Sequence, residues 1–429
     1  MRQLYTLILH LVLPALLLRL LWRSIDAPAY RRRWAERFGF CPLPDKMGCL
    51  WIHAVSVGES QSVEPLVKQF LKDHPEVPVT ITTTTPTGSE RVWKLFGEKV
   101  HHSYFPFDIP WALEAFLKRV RPRALVMIDT EIWPNLLAIC HQQAIPTILA
   151  NARLSQTSAD GYARLGSFTR ETFSQIGLIA AQAKADADRF LSLGAKPENV
   201  RVTGSIKFDI RLPASLHEQA AVLRRQWGDR PVWVGASTHE GEDEQLIEAH
   251  REVLLEHPGA LLVLVPRHPE RFDRMADLCR KMGYPPSRRS SGDVCGLDTA
   301  VFLGDTMGEL TLFMAAADIA FVGGSLVPVG GHNILEPAAL GVPIVFGPHM
   351  FNFSLISSLM LEQDAAVQVG NAGRLAVVLK RWFGNASERA RVGENGRRVV
   401  AENRGATERL YGIIEEQLGV ESPSNAGSE

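Results

Sequence analysis

The sequence predicts an α/β protein of two domains, each a parallel sheet with helices on both faces, facing one another across a cleft and preceded by an apolar N-terminal helix. Three observations predict it. From residue 49 onward, short apolar runs alternate with amphipathic stretches, the rhythm of strand–helix–strand units. That rhythm pauses near residues 206–214 and then begins again. The chain, at 429 residues, is also too long for one ordinary core.

Residues 4–22, LYTLILHLVLPALLLRLLW, come first. As a helix they extend roughly 28 Å at about 1.5 Å per residue, close to the ~30 Å of a bilayer core. His10, Pro14 and Arg19 interrupt the run, and the arginine-rich segment behind it opposes export as a cleaved signal. We read residues 1–24 as a membrane anchor or interfacial helix, with a buried core helix as the alternative. Residues 1–40 carry seven arginines against two acids, a local charge of +5. Arg31, Arg32 and Arg33 are expected against anionic headgroups, on the cytoplasmic side.

The first Rossmann-like domain is placed at 25–209, with strands at 49–57, 77–84, 101–106, 124–129, 146–150, 178–182 and 200–203. Helices are expected between them at 60–73, 88–96, 110–120 and 133–143, punctuated by Pro122, Pro146 and Gly194. The second domain is placed at 210–418, with strands at 231–236, 260–265, 299–303, 319–323 and 342–346. Its helices include 242–256, 270–282 and a long charged one over 386–418. The tail 419–429 is polar and expected to be disordered.

Composition sets limits. The chain is 46% hydrophobic and 22% charged, as a folded globular protein is. A net charge of −1 carries no overall nucleic-acid signature. Five scattered cysteines without a CxxC pair argue against a disulfide framework and a structural zinc site, and suit a reducing compartment. His101-His102 lacks partners at ligand spacing, so no catalytic metal is expected. No G-x-G-x-x-G follows a first strand and no G-x-x-x-x-G-K-[ST] occurs, which removes the usual arguments for NAD and ATP; no cofactor is expected.

In open α/β sheets, ligands bind beyond the carboxyl ends of strands, so the residues after each strand matter most. WIHAVSVGES, 51–60, runs from strand to helix and places Glu59 in the first helical turn. A helix start favours an acid there; a carboxylate facing a cleft is equally a general base. Gly58 beside it permits close approach. IDTEIWPN, 128–135, sets Asp129 and Glu131 behind a buried strand, and alternation puts both on one face. In TGSIKFD, 203–209, Lys207 is either solvated surface or a cation that offsets developing charge. VPRHPERF, 265–272, offers Arg267 and His268, suited to phosphate. FVGGSLVPVGGHNILEP, 321–337, combines glycine pairs with Asn333 and Glu336 at a helix start; it reads as an anion cradle beside a ribose-binding acid. GDTMGEL, 304–310, supplies another glycine-turned helix start.

These stretches, with APAYRRRWAERFGF, TTTTPTGSERV, ANARLS, STHEGED and GPHMFNF, run in order from about residue 27 to 353. Together they resemble the 3-deoxy-D-manno-octulosonic acid (Kdo) transferases of lipopolysaccharide synthesis. The resemblance implies a two-domain glycosyltransferase of GT-B type that moves Kdo from CMP-Kdo to a lipid A precursor and releases CMP. It implies Glu59 as proton acceptor, with Asp129 and Lys207 as transition-state stabilisers. It assigns CMP binding to Arg267-His268, to Gly308, Glu309 and Leu310, and to Ile334, Leu335, Glu336 and Pro337, next to Asn333. One departure stands out: Asp129 occupies a place where the family favours the longer Glu, and Glu131 is available to share its role. Two rival readings are a sugar-nucleotide epimerase of similar fold and a non-catalytic, membrane-anchored binding protein.

Overall fold

The computed structural model describes residues 1–420; most of the tail expected over 419–429 lies outside the described residues. The chain divides into two units. The first comprises Met1–Asp209 and the chain from Arg404 onward; the second is Ile210–Asn403.

The first unit holds a seven-stranded parallel sheet. Its strands are β1 Leu50–His53, β2 Val79–Thr83, β3 His101–Tyr104, β4 Ala124–Ile128, β5 Thr147–Ala152, β6 Leu178–Ala181 and β7 Val200–Val202. They lie in the order β3-β2-β1-β4-β5-β6-β7. Leu50 therefore pairs with Val79 on one side and Ala124 on the other. The strand order reverses between β1 and β4, the position where an open α/β sheet gathers ligands. Both faces of the central strands are covered, which explains why β4 and β6 read as unbroken apolar runs. Leu50, Ile52, Val126 and Ile128 join the core on one face; Trp51, Leu125 and Met127 join that on the other. Trp51 is wholly buried and donates its indole N–H to Thr82 Oγ1 at 2.9 Å.

The second unit repeats the plan with β8 Val232–Thr238, β9 Leu261–Pro266, β10 Ser287–Arg288, β11 Val301–Leu303, β12 Ile319–Val322, β13 Ile344–Phe346 and β14 Ala366–Gln368. Their order is β10-β11-β9-β8-β12-β13-β14, so the reversal falls between β8 and β12. Five of these strands were expected. The edge strands β10 and β14 escaped notice because they span only two and three residues.

Three helical expectations need correction. The helix expected over 60–73 is two helices, Val57–Ser62 and Glu64–Asp73, with Pro65 at the start of the second. The helix expected over 386–418 is likewise two, Ala386–Glu402 and Ala406–Leu418, parted at Gly405, whose φ of 89° no helix accommodates. The later one belongs to the first unit, although it was assigned to the second domain. Leu410, Ile414 and Leu418 enter the apolar cluster of Leu66, Val67 and Phe70. Its first turn is capped by the Asp209 carboxylate, which accepts from Gly405 N at 2.6 Å and Thr407 N at 2.5 Å. Tyr411 donates to Asp73 at 2.9 Å, and His74 Nε2 lies 2.9 Å from Glu415.

The N-terminal helix runs Arg2–Asp26 and is long and apolar enough to cross a membrane, with a mean hydropathy of 2.1 and none of that window buried. Tyr5, Leu9, Leu13, Leu16 and Leu20 form a half-covered stripe, while Leu4, Leu7, Leu11, Leu18 and Trp22 are exposed. Its first turns are tied to the first unit. Tyr5 donates to Asp108 Oδ2 at 2.9 Å and Thr6 to Asn135 Oδ1 at 3.0 Å. Asp108 in turn accepts from Asn135 N and Leu136 N at 3.1 and 2.8 Å. The arginines expected against headgroups are not all at the surface. Arg33 is turned inward, donating to Glu36, Ser89 and His102, and Arg37 is buried. Only Arg31 and Arg32 of the triplet are exposed, and Arg31 donates to Ser24.

Candidate active site

In the first unit, the site is assembled from the loops that follow β1, β4, β5 and β7. After β1, Ser56 caps the helix Val57–Ser62. Ser56 Oγ donates to Glu59 Oε1 at 2.8 Å, and Val55 N donates to Glu59 Oε2 at 2.7 Å. Ser56-x-x-Glu59 is thus a variant capping box, and the helix-start reading of Glu59 is physically present. It does not exhaust the group. A carboxylate offers about four lone-pair sites, and the side chain is half-exposed. Burial pushes its carboxyl above the usual glutamate range and Asp129 adds to this; Ser56, Val55 and the Lys207 cation pull it back. A Cβ at Gly58 would meet only Ser56 Oγ, at 3.9 Å, so open space lies over this turn.

Asp129 and Glu131 do not share a face by strand alternation, as expected, because β4 stops at Ile128. Asp129 sits in left-handed backbone, with φ 59°. Its Oδ1 accepts from Asn151 Nδ2 at 2.5 Å. Asn151, also left-handed with φ 55°, uses its Oδ1 to accept from Ile206 N at 3.2 Å. One amide therefore joins Asp129 to the turn that carries Lys207. Sequence reasoning placed Asn151 at a strand end but gave it no role. Glu131 is pushed up to about 7, first by burial and then by the charges of Glu59 and Asp129. Three acids and one lysine thus share the switch point of the first sheet, close enough to perturb one another.

The second unit departs further from expectation. The glycine-rich loop after β12 was read as a cradle for a ligand anion. Three of its N–H groups are taken by the chain's own Glu242, which is wholly buried. Glu242 accepts from Gly324 N at 2.6 Å, Ser325 N at 2.9 Å, Leu326 N at 2.8 Å and His239 N at 3.0 Å. Gly323 is required for this approach of β12 to β8, since a Cβ there would lie 2.5 Å from Ser237 O. Arg267 and His268 are exposed at the end of β9. His239, after β8, and His332, from the glycine loop, face each other with Nε2 atoms 2.8 Å apart.

The other predicted nucleotide contacts divide. Ile334, Leu335 and Pro337 are buried, so they have only backbone to offer. Glu336 accepts from Thr311 Oγ1 and Asn333 Nδ2, both at 3.0 Å, and remains partly exposed. Glu309 is held by Arg289 Nε at 3.0 Å and Nη2 at 2.5 Å, a forked pair that keeps its carboxyl below the usual range. Gly308, at φ 88°, is exposed with nothing near its Cβ position, and Leu310 begins the helix Leu310–Ala316. Among the described residues, no group of three or more metal-ligating side chains gathers. All five cysteines are free and buried.

Comparison with known proteins points to one family. Residues 32–210 match the family model described as 3-deoxy-D-manno-octulosonic-acid transferase (kdotransferase). The chain is 42% identical, over 97% of its length and 99% of the relative's, to the 3-deoxy-D-manno-octulosonic acid transferase of Haemophilus influenzae. It is 36% identical to that of Bordetella pertussis, over 86% and 87%. Among solved structures, the UDP-GlcNAc 2-epimerase of Neisseria meningitidis covers 87% of this chain and 99% of its own, at a TM-score of 0.56 and 16% identity. That likeness shows the two-sheet, GT-B-like fold alone. The chain belongs to the 3-deoxy-D-manno-octulosonic acid transferases and is a glycosyltransferase.

Proposed function

We propose that this enzyme transfers Kdo from CMP-Kdo to a hydroxyl of a lipid A precursor and releases CMP, at the cytoplasmic face of the inner membrane. The observation that carries the reading is the cluster of Glu59, Asp129, Glu131 and Lys207 at the switch point of the first sheet. Glu59 accepts the proton of the attacking hydroxyl on a lone pair not used by its own turn. Burial raises its carboxyl and makes it a stronger base than an exposed glutamate. The acceptor oxygen forms the new bond to the anomeric carbon; the bond to the CMP phosphate oxygen breaks and its electron pair stays on the phosphate. Displacement from the opposite side inverts the configuration. Lys207 and Asp129, aligned through Asn151, stabilise the charge that develops. Arg267 and His268 receive the phosphate, and Glu336 with Asn333 the ribose. The apolar helix Arg2–Asp26 keeps the enzyme where an acylated acceptor resides.

The test is Glu59→Gln, assayed by mass spectrometry of a lipid A precursor incubated with CMP-Kdo. The expected result is loss of transfer with CMP binding retained. Near-normal transfer by this variant overturns the role of Glu59. CMP release that proceeds without lipid acceptor overturns the acceptor assignment.

A further inference from the structure

At the switch point of the second sheet, His239 and His332 make a contact that no nucleotide role requires. Their Nε2 atoms are 2.8 Å apart, with rings within 10° of parallel and centroids 5.0 Å apart, so the rings meet edge to edge. One Nε2 must carry a hydrogen and the other a lone pair, so the rings are opposite tautomers. A further proton on the donor ring's Nδ1 makes it an imidazolium without breaking the contact. The N–H···N bond then becomes charge-assisted and stronger.

The surroundings decide when that proton arrives. The groups facing the pair are the guanidinium cations of Arg267 and Arg271, the imidazole of His268 and the carboxylate of Glu242. The His268 ring sits edge-on to His239, with centroids 5.5 Å apart. Arg271 is fixed by Thr238 O, at 2.6 Å, and by Asp243. Glu242 already spends its carboxylate on four backbone N–H groups. Without an anion, partial burial and then the neighbouring arginines lower both imidazoles, His332 to about 4. An anion set among Arg267 and His268 reverses the balance. Both histidines are half-exposed and reachable.

We infer that His239 and His332 form a shared proton site that takes up one proton when a phosphodiester binds beside Arg267 and His268. This rests on the nucleotide reading of the second unit given above. Binding is then linked to pH: a complex that takes up a proton weakens as pH rises, by up to about tenfold per pH unit for one whole proton.

The probe is the methyl ester of CMP, a phosphodiester whose phosphate has no ionisation near neutral pH. It is titrated calorimetrically into the full-length enzyme in detergent, at pH 7, in two buffers of unlike ionisation heat. The expected result is a buffer-dependent heat reporting uptake approaching one proton, and affinity that falls between pH 7 and 8. His332→Gln and His239→Gln, which keep hydrogen-bonding capacity but remove one titrating ring, should abolish the uptake. Binding with equal heats in both buffers overturns the inference and leaves the nucleotide reading intact. Uptake that persists in both variants overturns it as well. Failure of both the ester and CMP to bind overturns the nucleotide reading and the inference with it.

Discussion

Asn151 donates to Asp129 across 2.5 Å, and both stand in left-handed backbone at the ends of adjacent strands. Such backbone is uncommon outside glycine and is tolerated best by Asn and Asp. We predict that Asn151→Gly, which accepts the φ of 55° without strain, removes the bridge to Asp129 and Ile206 while preserving the fold. The kcat should fall by about 10²-fold, the scale of a displaced catalytic group, with CMP affinity unchanged. Steady-state kinetics alongside CMP titration checks this; wild-type kcat would show the bridge to be idle.

Glu131 makes a stability prediction independent of turnover. Its carboxyl rises from 4.5 to about 7 on folding, so between those values the folded state binds the extra proton. The stability this confers is full at low pH and declines as pH rises from about 4.5 through about 7. Glu131→Gln should match the wild type near pH 4.5 and melt higher at pH 8, by about 2–4 °C for each kcal/mol recovered. Melting curves at both pH values decide it; equal melting at pH 8 contradicts the shift.

Glu242 belongs to the scaffold of the second unit. Glu242→Ala strips the acceptor from four backbone N–H groups gathered around a wholly buried carboxylate. Destabilisation of about 3 kcal/mol or more is expected. Hydrogen exchange should show it in residues 210–403, with the first sheet spared.

Deleting residues 1–24 removes the apolar helix and the Tyr5 and Thr6 contacts to Asp108 and Asn135. The truncated enzyme should leave the membrane fraction on sedimentation. Unchanged membrane partition would assign anchoring to another surface.

Twelve of the fourteen strands were legible: central ones such as Ala124–Ile128 and Leu261–Pro266 are the continuous apolar runs a sheet covered on both faces demands, and polar ones such as His101–Tyr104 were placed by the strand–helix rhythm around them. Glu59, Asp129 and Lys207 stood out as candidates because they follow strands, where such sheets gather ligands. The partners of these residues were not. Asn151 reads as an ordinary polar residue until folding brings Ile206, 55 positions away, to its side. Glu242 fills a glycine loop 82 positions downstream, and nothing local in STHEGED announces that. The break at Gly405 was available in principle, but the charged pattern on either side masked it.

The closing helix has a consequence for biosynthesis. A ribosome delivers the chain from its N-terminus, so the inserted segment Ile210–Asn403 leaves it ahead of Ala406–Leu418. The insert can bury its own side chains at once. The segment translated before it must wait with Leu66, Val67 and Phe70 uncovered until Leu410, Ile414 and Leu418 arrive. What is begun first is finished last, so a message truncated near codon 404 yields a complete insert on an unfinished foundation.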